Sequence, residues 1–201
     1  MHTKQHSLRT FLAMPALLLL ALVACERDNE VHHGSPAQQI EASESLVLPA
    51  SIELPANPHG YTRVATYYAK GVQMYKAQQK AGSPGVFEWV LVAPDAKLYD
   101  KSNTKVGTHG AGPFWEVSAL DSIFAQHFAP PKTAPSPNAN SVDWLLLQPK
   151  VGKTPTGIFA NVQYIHRIAT EGGKAPSTPP ANAGATTEVK YTAIYRFTRK
   201  N

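Results

Sequence analysis

The residues best placed to do chemistry lie between Val106 and Glu116, in the stretch VGTHGAGPFWE. It holds one histidine, one tryptophan, three glycines and a proline in eleven positions. Glycine permits backbone shapes closed to other residues, and proline fixes φ and donates no hydrogen bond. Such a stretch specifies one loop shape, and loops held on rigid scaffolds are where binding and catalytic groups collect. His109 could serve as a base or a ligand, and Trp115 as an aromatic floor. Gly107 and Gly112 would shape the backbone between them. These four, with Arg167 on the polar face of a later strand, are the ligand-binding candidates. The alternative is a tight inter-strand connection whose Trp115 fills the core.

Catalytic patterns are sparse. No Gly-x-Ser-x-Gly elbow is present, and a nucleophile built from Ser118 or Ser122 with His109 has nothing in the spacing to recommend it. Glu88, Asp95, Glu116 and Asp143 are available acids, but nothing pairs any two across one groove as glycoside hydrolysis requires. No catalytic residue is therefore assigned. Beyond residue 24 the histidines are at 32, 33, 59, 109, 127 and 166. None shows His-x-His or His-x-x-x-His spacing within the domain, so a metal site would need His109, His127 and His166 to converge through the fold. No metal and no cofactor is expected. What remains is a shallow aromatic platform of Trp115, Tyr67, Tyr68 and Phe114 for a sugar, a peptidoglycan fragment or a small apolar ligand.

The amino terminus bears on where such a site would work. Lys4 and Arg9 precede an apolar run, residues 11–23, of signal-peptide length. It ends Leu22-Val23-Ala24-Cys25, which resembles a bacterial lipobox, so residues 1–24 are expected to be removed and Cys25 lipidated. Cys25 is the only cysteine, which excludes an intramolecular disulfide. Glu26 follows it where inner-membrane retention would place an aspartate. A lipid anchor in the outer membrane, facing the periplasm, is the expectation. Losing residues 1–24 reduces 19 basic side chains to 17, against 14 acidic ones. That balance is too mild to argue for nucleic acid, and cell-wall, sugar or protein partners fit better.

The elements that must position the site read as β throughout. Residues 25–45 are polar and read as a flexible tether, with 46–201 as one all-β domain and 46–58 as its extended lead-in. Strands are expected over 62–70 and 72–75, with a bulge or bend at Gly71, and over 87–93 and 97–99, with a turn at Pro94-Asp95. Residues 122–128 fit a strand or one helical turn, and 129–141 a proline-rich loop. The run 142–148 is apolar on both faces, as a buried strand would be. In 157–170, Ile158, Ala160, Val162, Tyr164, His166 and Ile168 form the expected inner face, and Arg167 lies on the outer. In 188–199, Tyr191, Ala193, Tyr195 and Phe197 share one face. Seventeen prolines, thirteen glycines and almost no helical period indicate a single antiparallel β-sandwich or squat β-barrel with long loops.

Several phrases together resemble one family. They are Gly71-Val72-Gln73-Met74-Tyr75, Trp89-Val90, Ala93-Pro94-Asp95-Ala96-Lys97-Leu98-Tyr99, the Val106–His109 and Gly112–Glu116 phrases, Trp144-Leu145-Leu146-Leu147 and Tyr164-Ile165-His166-Arg167. Thr170, Gly172-Gly173 and Ala175-Pro176 continue the pattern. The family is the domain of unknown function 3455, met in secreted bacterial and fungal proteins, and the resemblance covers roughly residues 63–197. It implies an all-β extracytoplasmic domain and brings no activity, substrate or cofactor. Relatives look to carry cysteines where this chain has Ala77 and Pro180, which implies that these two positions are neighbours in space. Gly110 stands where relatives tend to carry an aromatic.

Three functions follow as expectations. The leading one is a non-enzymatic envelope lipoprotein that binds a ligand or partner around His109–Trp115. The second is an extracytoplasmic hydrolase or metal-dependent enzyme using His109, and the third a structural envelope protein.

Overall fold

The structure is a computed structural model that describes residues 34–201. The expected signal peptide, the lipidation at Cys25 and the His32-His33 pair lie outside the described residues.

Eight antiparallel strands run in sequence order around a closed barrel: β1 (Tyr61–Gln79), β2 (Phe87–Tyr99), β3 (Lys105–Gly110), β4 (Phe114–Ser118), β5 (Asp121–Ala134), β6 (Trp144–Pro149), β7 (Tyr164–Gly172) and β8 (Thr186–Lys200). Of the sandwich and the barrel, the chain forms the barrel. β1 and β8 close it in register from Tyr61↔Lys200 to Lys76↔Thr186. Side chains alternate along each strand, so one residue in two points inward. The inner set includes Ala69, Leu98, Trp115, Ile123, Leu147, Ile165 and, from β8, Tyr191, Ala193, Tyr195 and Phe197. At one end the β6–β7 connection inserts Phe159 and Val162, both buried, as a stopper. The other end carries the β1–β2, β3–β4, β5–β6 and β7–β8 connections, with the long loops 135–143 and 173–185.

Two glycines permit the strands to approach at sharp corners. A Cβ on Gly71 would lie 2.0 Å from the Asp95 carbonyl oxygen, and one on Gly107 2.1 Å from that of Glu116. No side chain fits at either position. β1 therefore passes straight through Gly71, and its bulge on the β2 side falls between Met74 and Tyr75.

The lead-in is structured earlier than its polarity predicts. Ser35 caps a helix, α1 (Pro36–Glu44), in a reciprocal capping box with Gln38, and Pro36 occupies the first turn, where its missing N–H costs nothing. α1 and a 3-10 turn (Ala50–Ile52) lie against the outer barrel wall. Ile40 and Ile52 pack there on Tyr68, Trp144, Leu146, Tyr164, Ile168 and Ile194. Arg196 donates to the Ser43 carbonyl, and Ser51 Oγ to that of Thr133 at 2.7 Å. Residues 36–44 are thus part of the fold rather than of a tether. The two-sided burial expected for 142–148 holds in β6, with Leu145 and Leu147 inside and Trp144 and Leu146 under the lead-in.

That cover also inverts the expected face of β7. Residues 157–159 form a 3-10 turn, and the strand begins only at Tyr164. Tyr164, His166 and Ile168 point outward beneath the lead-in, where His166 Nε2–H donates to the Ile52 carbonyl at 2.8 Å. Ile165 and Arg167 point into the barrel, paired with Phe197 and Tyr195. β2 likewise runs unbroken through Pro94-Asp95. Pro94 lies beyond Ala96, the last β2 residue paired with β3, at an edge that tolerates a missing donor. Residues 122–128 are strand, and β5 continues to Ala134, well into the expected proline-rich loop. Ala77 N–H donates to Ala185, and Trp89, the cross-strand partner of Ala77, donates its indole N–H to Thr178. The Ala77 strand end and the loop bearing Pro180 are therefore neighbours, as the resemblance implies.

Candidate functional site

His109 and Trp115 are cross-strand partners in the β3–β4 hairpin, and both side chains enter the barrel. Residues 106–116 form two short strands and a tight turn rather than an open loop. Gly112, at φ 130°, makes the turn and leaves room for the Phe124 ring. The His109 and Trp115 rings stack with centroids 4.5 Å apart and 9° between planes. Tyr195 meets the Trp115 ring edge-on at 5.0 Å. Trp115 is fully buried and His109 is 3 % exposed, so neither forms a surface platform. The other members of the expected platform disperse as well. Phe114 stacks on Phe124, Tyr67 packs against the inner cluster, and Tyr68 is under the lead-in.

The hydrogen bonds of His109 fix its tautomer. Nδ1 lies 2.8 Å from the Phe114 carbonyl, which only accepts, so Nδ1 carries the proton. Nε2 is then a lone pair, and the Tyr195 hydroxyl donates to it at 3.0 Å. Burial pushes the imidazole pKa down to about 3, helped by the positive charge of Arg167 and opposed by the Phe114 carbonyl. The ring is neutral across physiological pH, with both nitrogens engaged. Burial raises the Tyr195 phenol, against the pull of Arg167.

Toward the loop-bearing end, the interior becomes polar. Arg167 lies in register with Leu145 and Tyr195, which places it on the inner face, half-buried. Its Nε and Nη2 donate to the Asp143 carbonyl at 3.1 and 2.8 Å. Gln73 shares the inner face of β1 with Ala69 and Gly71 and is 1 % exposed. Tyr75, next along that face, donates to the Gly173 carbonyl at 2.6 Å. Among the described residues, six buried side-chain nitrogen or oxygen atoms have no hydrogen-bond partner, and four of them are here: Gln73 Nε2 and Oε1, Trp115 Nε1 and the Tyr191 hydroxyl. Burial, then the neighbouring Tyr195, raises the Tyr191 phenol well above its usual range. Gly173 closes over this group: a Cβ there would lie 2.8 Å from Tyr191 Cβ and 3.1 Å from Gln73 Cγ. Beside it, β2 and the β3–β4 turn diverge and leave an open notch of about 330 Å³ that reaches His109 between Pro94, Asp95 and Phe114.

Of the five expected site residues, the fold brings His109, Trp115 and Arg167 to one end of the barrel interior. Gly107 and Gly112 serve the backbone. His127 is exposed and His166 is on the outer wall, so the three histidines do not converge. No group of three or more His, Cys, Asp or Glu side chains among the described residues is arranged to hold a metal ion. Gln73, Tyr191 and Tyr195 were not among the expected site residues. The signal for Gln73 was legible, as a polar residue at the inward period of Ala69, Gly71 and Tyr75.

Residues 58–199 match the model of a family described as a protein of unknown function (DUF3455). No curated protein and no solved structure matches the chain.

Proposed function

The chain belongs to the DUF3455 family, and from that premise, which supplies no activity, we propose that it is a non-enzymatic binding barrel of the cell envelope. The ligand is held inside the loop-bearing end, among Gln73, Trp115, Arg167 and Tyr191. Cys25 anchors the protein by a lipid to the outer membrane, facing the periplasm. What supports the anchor is the apolar run ending Leu22-Val23-Ala24-Cys25.

The observation that supports a binding role is the group of four unpartnered polar atoms in one buried place. Each such atom costs about 1–3 kcal/mol when nothing bonds to it, and native interiors leave few of them. A binding site accounts for their concentration at one end of an interior whose cluster is otherwise dominated by Leu98, Ile123, Leu147, Phe159, Ile165 and Phe197. A catalytic role for His109 has weaker support, because its two nitrogens are occupied by Phe114 and Tyr195.

Thermal unfolding of the purified protein against a panel of sugars, cell-wall fragments, lipids and metal salts tests the reading. A ligand at a hundred times its Kd adds about 2.7 kcal/mol of stability, a shift of a few degrees for a domain of this size. The expected result is a shift from one class that Tyr191→Phe or Gln73→Leu removes. A shift from metals alone favours the enzyme reading. A shift from nothing leaves the structural role.

A further inference from the structure

We propose that the barrel end is an anion site and that its ligand presents a carboxylate or a similar oxyanion to Arg167; this rests on the binding role above. The inner face at this end offers mostly donors. They are the guanidinium of Arg167, the Gln73 amide N–H groups, the Trp115 indole N–H and the Tyr191 hydroxyl, the last three unpartnered and nine-tenths or more buried. Arg167 bonds to one backbone carbonyl through Nε and Nη2 and lies beside the Tyr195 hydroxyl, which still leaves guanidinium N–H groups for another acceptor. Among the described residues no carboxylate pairs with it: the salt bridges join Arg63 and Arg196 to Glu44 on the outer wall.

Asp143 meets Arg167 through its backbone carbonyl and forms no salt bridge with it, and two further acids near this end, Asp95 and Glu171, face away from the interior. Asp95 pairs with Val72, one residue out of phase with the inward pair Gly71↔Ala96. Glu171 pairs with Thr192, out of phase with Gly172↔Tyr191, and accepts from Asn138 at 2.6 Å. An inward guanidinium in a partly dry site without a counter-ion selects for negative charge, and its planar fork matches the two oxygens of a carboxylate. A carboxylate accepts only, so it satisfies Arg167, Gln73 Nε2 and Tyr191 together. A cation would meet Arg167, and a neutral amide, whose N–H groups suit only Gln73 Oε1 among the unpartnered atoms, lacks the charge that Arg167 selects.

The test compares matched probes on the purified protein: hexanoate and benzoate against hexanamide, benzamide and benzylamine. Binding is read by the thermal midpoint and by the Trp115 indole N–H resonance. Hydrogen bonds to a charged group predict that carboxylates bind about tenfold or more tightly than their amides, with benzylamine excluded. Arg167→Gln should remove that preference and Arg167→Lys should keep part of it. Amides that bind as well as the carboxylates overturn the anion inference while the binding role stands. So does carboxylate affinity unchanged in Arg167→Gln. If no probe of any charge moves the Trp115 resonance, the anion inference and the binding role fall together. Should Arg167→Gln not fold, the wild-type comparison of acid with amide decides alone.

Discussion

Acid should unfold this barrel through two histidines on opposite sides of its wall. His109 is held neutral inside, with burial pushing its pKa to about 3. His166 is held neutral outside, under the lead-in. Burial pushes it to about 4, the Ile52 carbonyl opposes this, and the charges of Arg196 and Arg63 add to the lowering. Both values lie below the ordinary 6.5, so between them and pH 6.5 the unfolded chain binds protons that the folded chain refuses. Their contribution is complete above about pH 6.5 and is lost as pH falls through that value toward 4. A tenfold difference in proton affinity between the folded and unfolded chain is worth about 1.4 kcal/mol. Going from pH 7 to pH 5 therefore costs about 2 kcal/mol for each histidine, about 4 kcal/mol together. Against a typical domain stability of about 5–15 kcal/mol, that is a large fraction. The lowered carboxyl of Asp121 titrates below this window and does not contribute to it. Urea unfolding at pH 7, 6 and 5 measures the slope. His166→Gln keeps a donor toward Ile52 and removes one proton, so it should halve the loss. A wild-type loss under about 1 kcal/mol, or a slope that His166→Gln leaves unchanged, would refute the reasoning.

Three further outcomes follow from packing. Gly71→Ala and Gly107→Ala each place a Cβ about 2 Å from a neighbouring strand's carbonyl oxygen, and each should cost about 1–3 kcal/mol or more in denaturant titrations. Tyr195→Phe removes the hydroxyl that donates to His109 Nε2 and should lower stability by about 1–3 kcal/mol, with the near-UV dichroism of the Trp115 stack retained. Ile52→Ala opens the seam between the lead-in and the wall, where Ile52 is fully buried. It should cost about 2–5 kcal/mol and speed hydrogen exchange at residues 36–54 before the barrel strands.

The sequence discloses the inner face of β8, because Tyr191, Ala193, Tyr195 and Phe197 share a two-residue period, but not that Ile194, Arg196 and Thr198 on the other face are buried as well. β7 misleads for a physical reason. Its Tyr164, His166 and Ile168 are apolar or buried because a separate segment covers them, and a two-residue period says which residues share a face without saying which face is inside. The same cover explains why 36–44 passes for a tether: α1 buries only Ile40 and Ser43, too narrow an apolar stripe to register as amphipathic. Pro94 reads as a turn when proline is weighed alone, but tolerance depends on whether a neighbouring strand needs its N–H, and that is settled by where β3 ends. Of the candidate site, His109 and Trp115 are found by local composition. Their meeting with Arg167, Tyr191 and Gln73 depends on strands from both ends of the chain, so no local pattern could announce it.

The seam between β1 and β8 has a consequence in time. Tyr61 pairs with Lys200, so the first strand waits for the last before the ring can close. Contacts this distant in sequence slow folding, since loop-closure entropy is lost before any contact compensates for it. As the chain is synthesised, β1 offers a nineteen-residue edge that only its own final strand completes. Until then that edge is open to any other extended chain nearby. A truncation within the last fifteen residues would make that exposure permanent, leaving two free edges where the finished molecule has none.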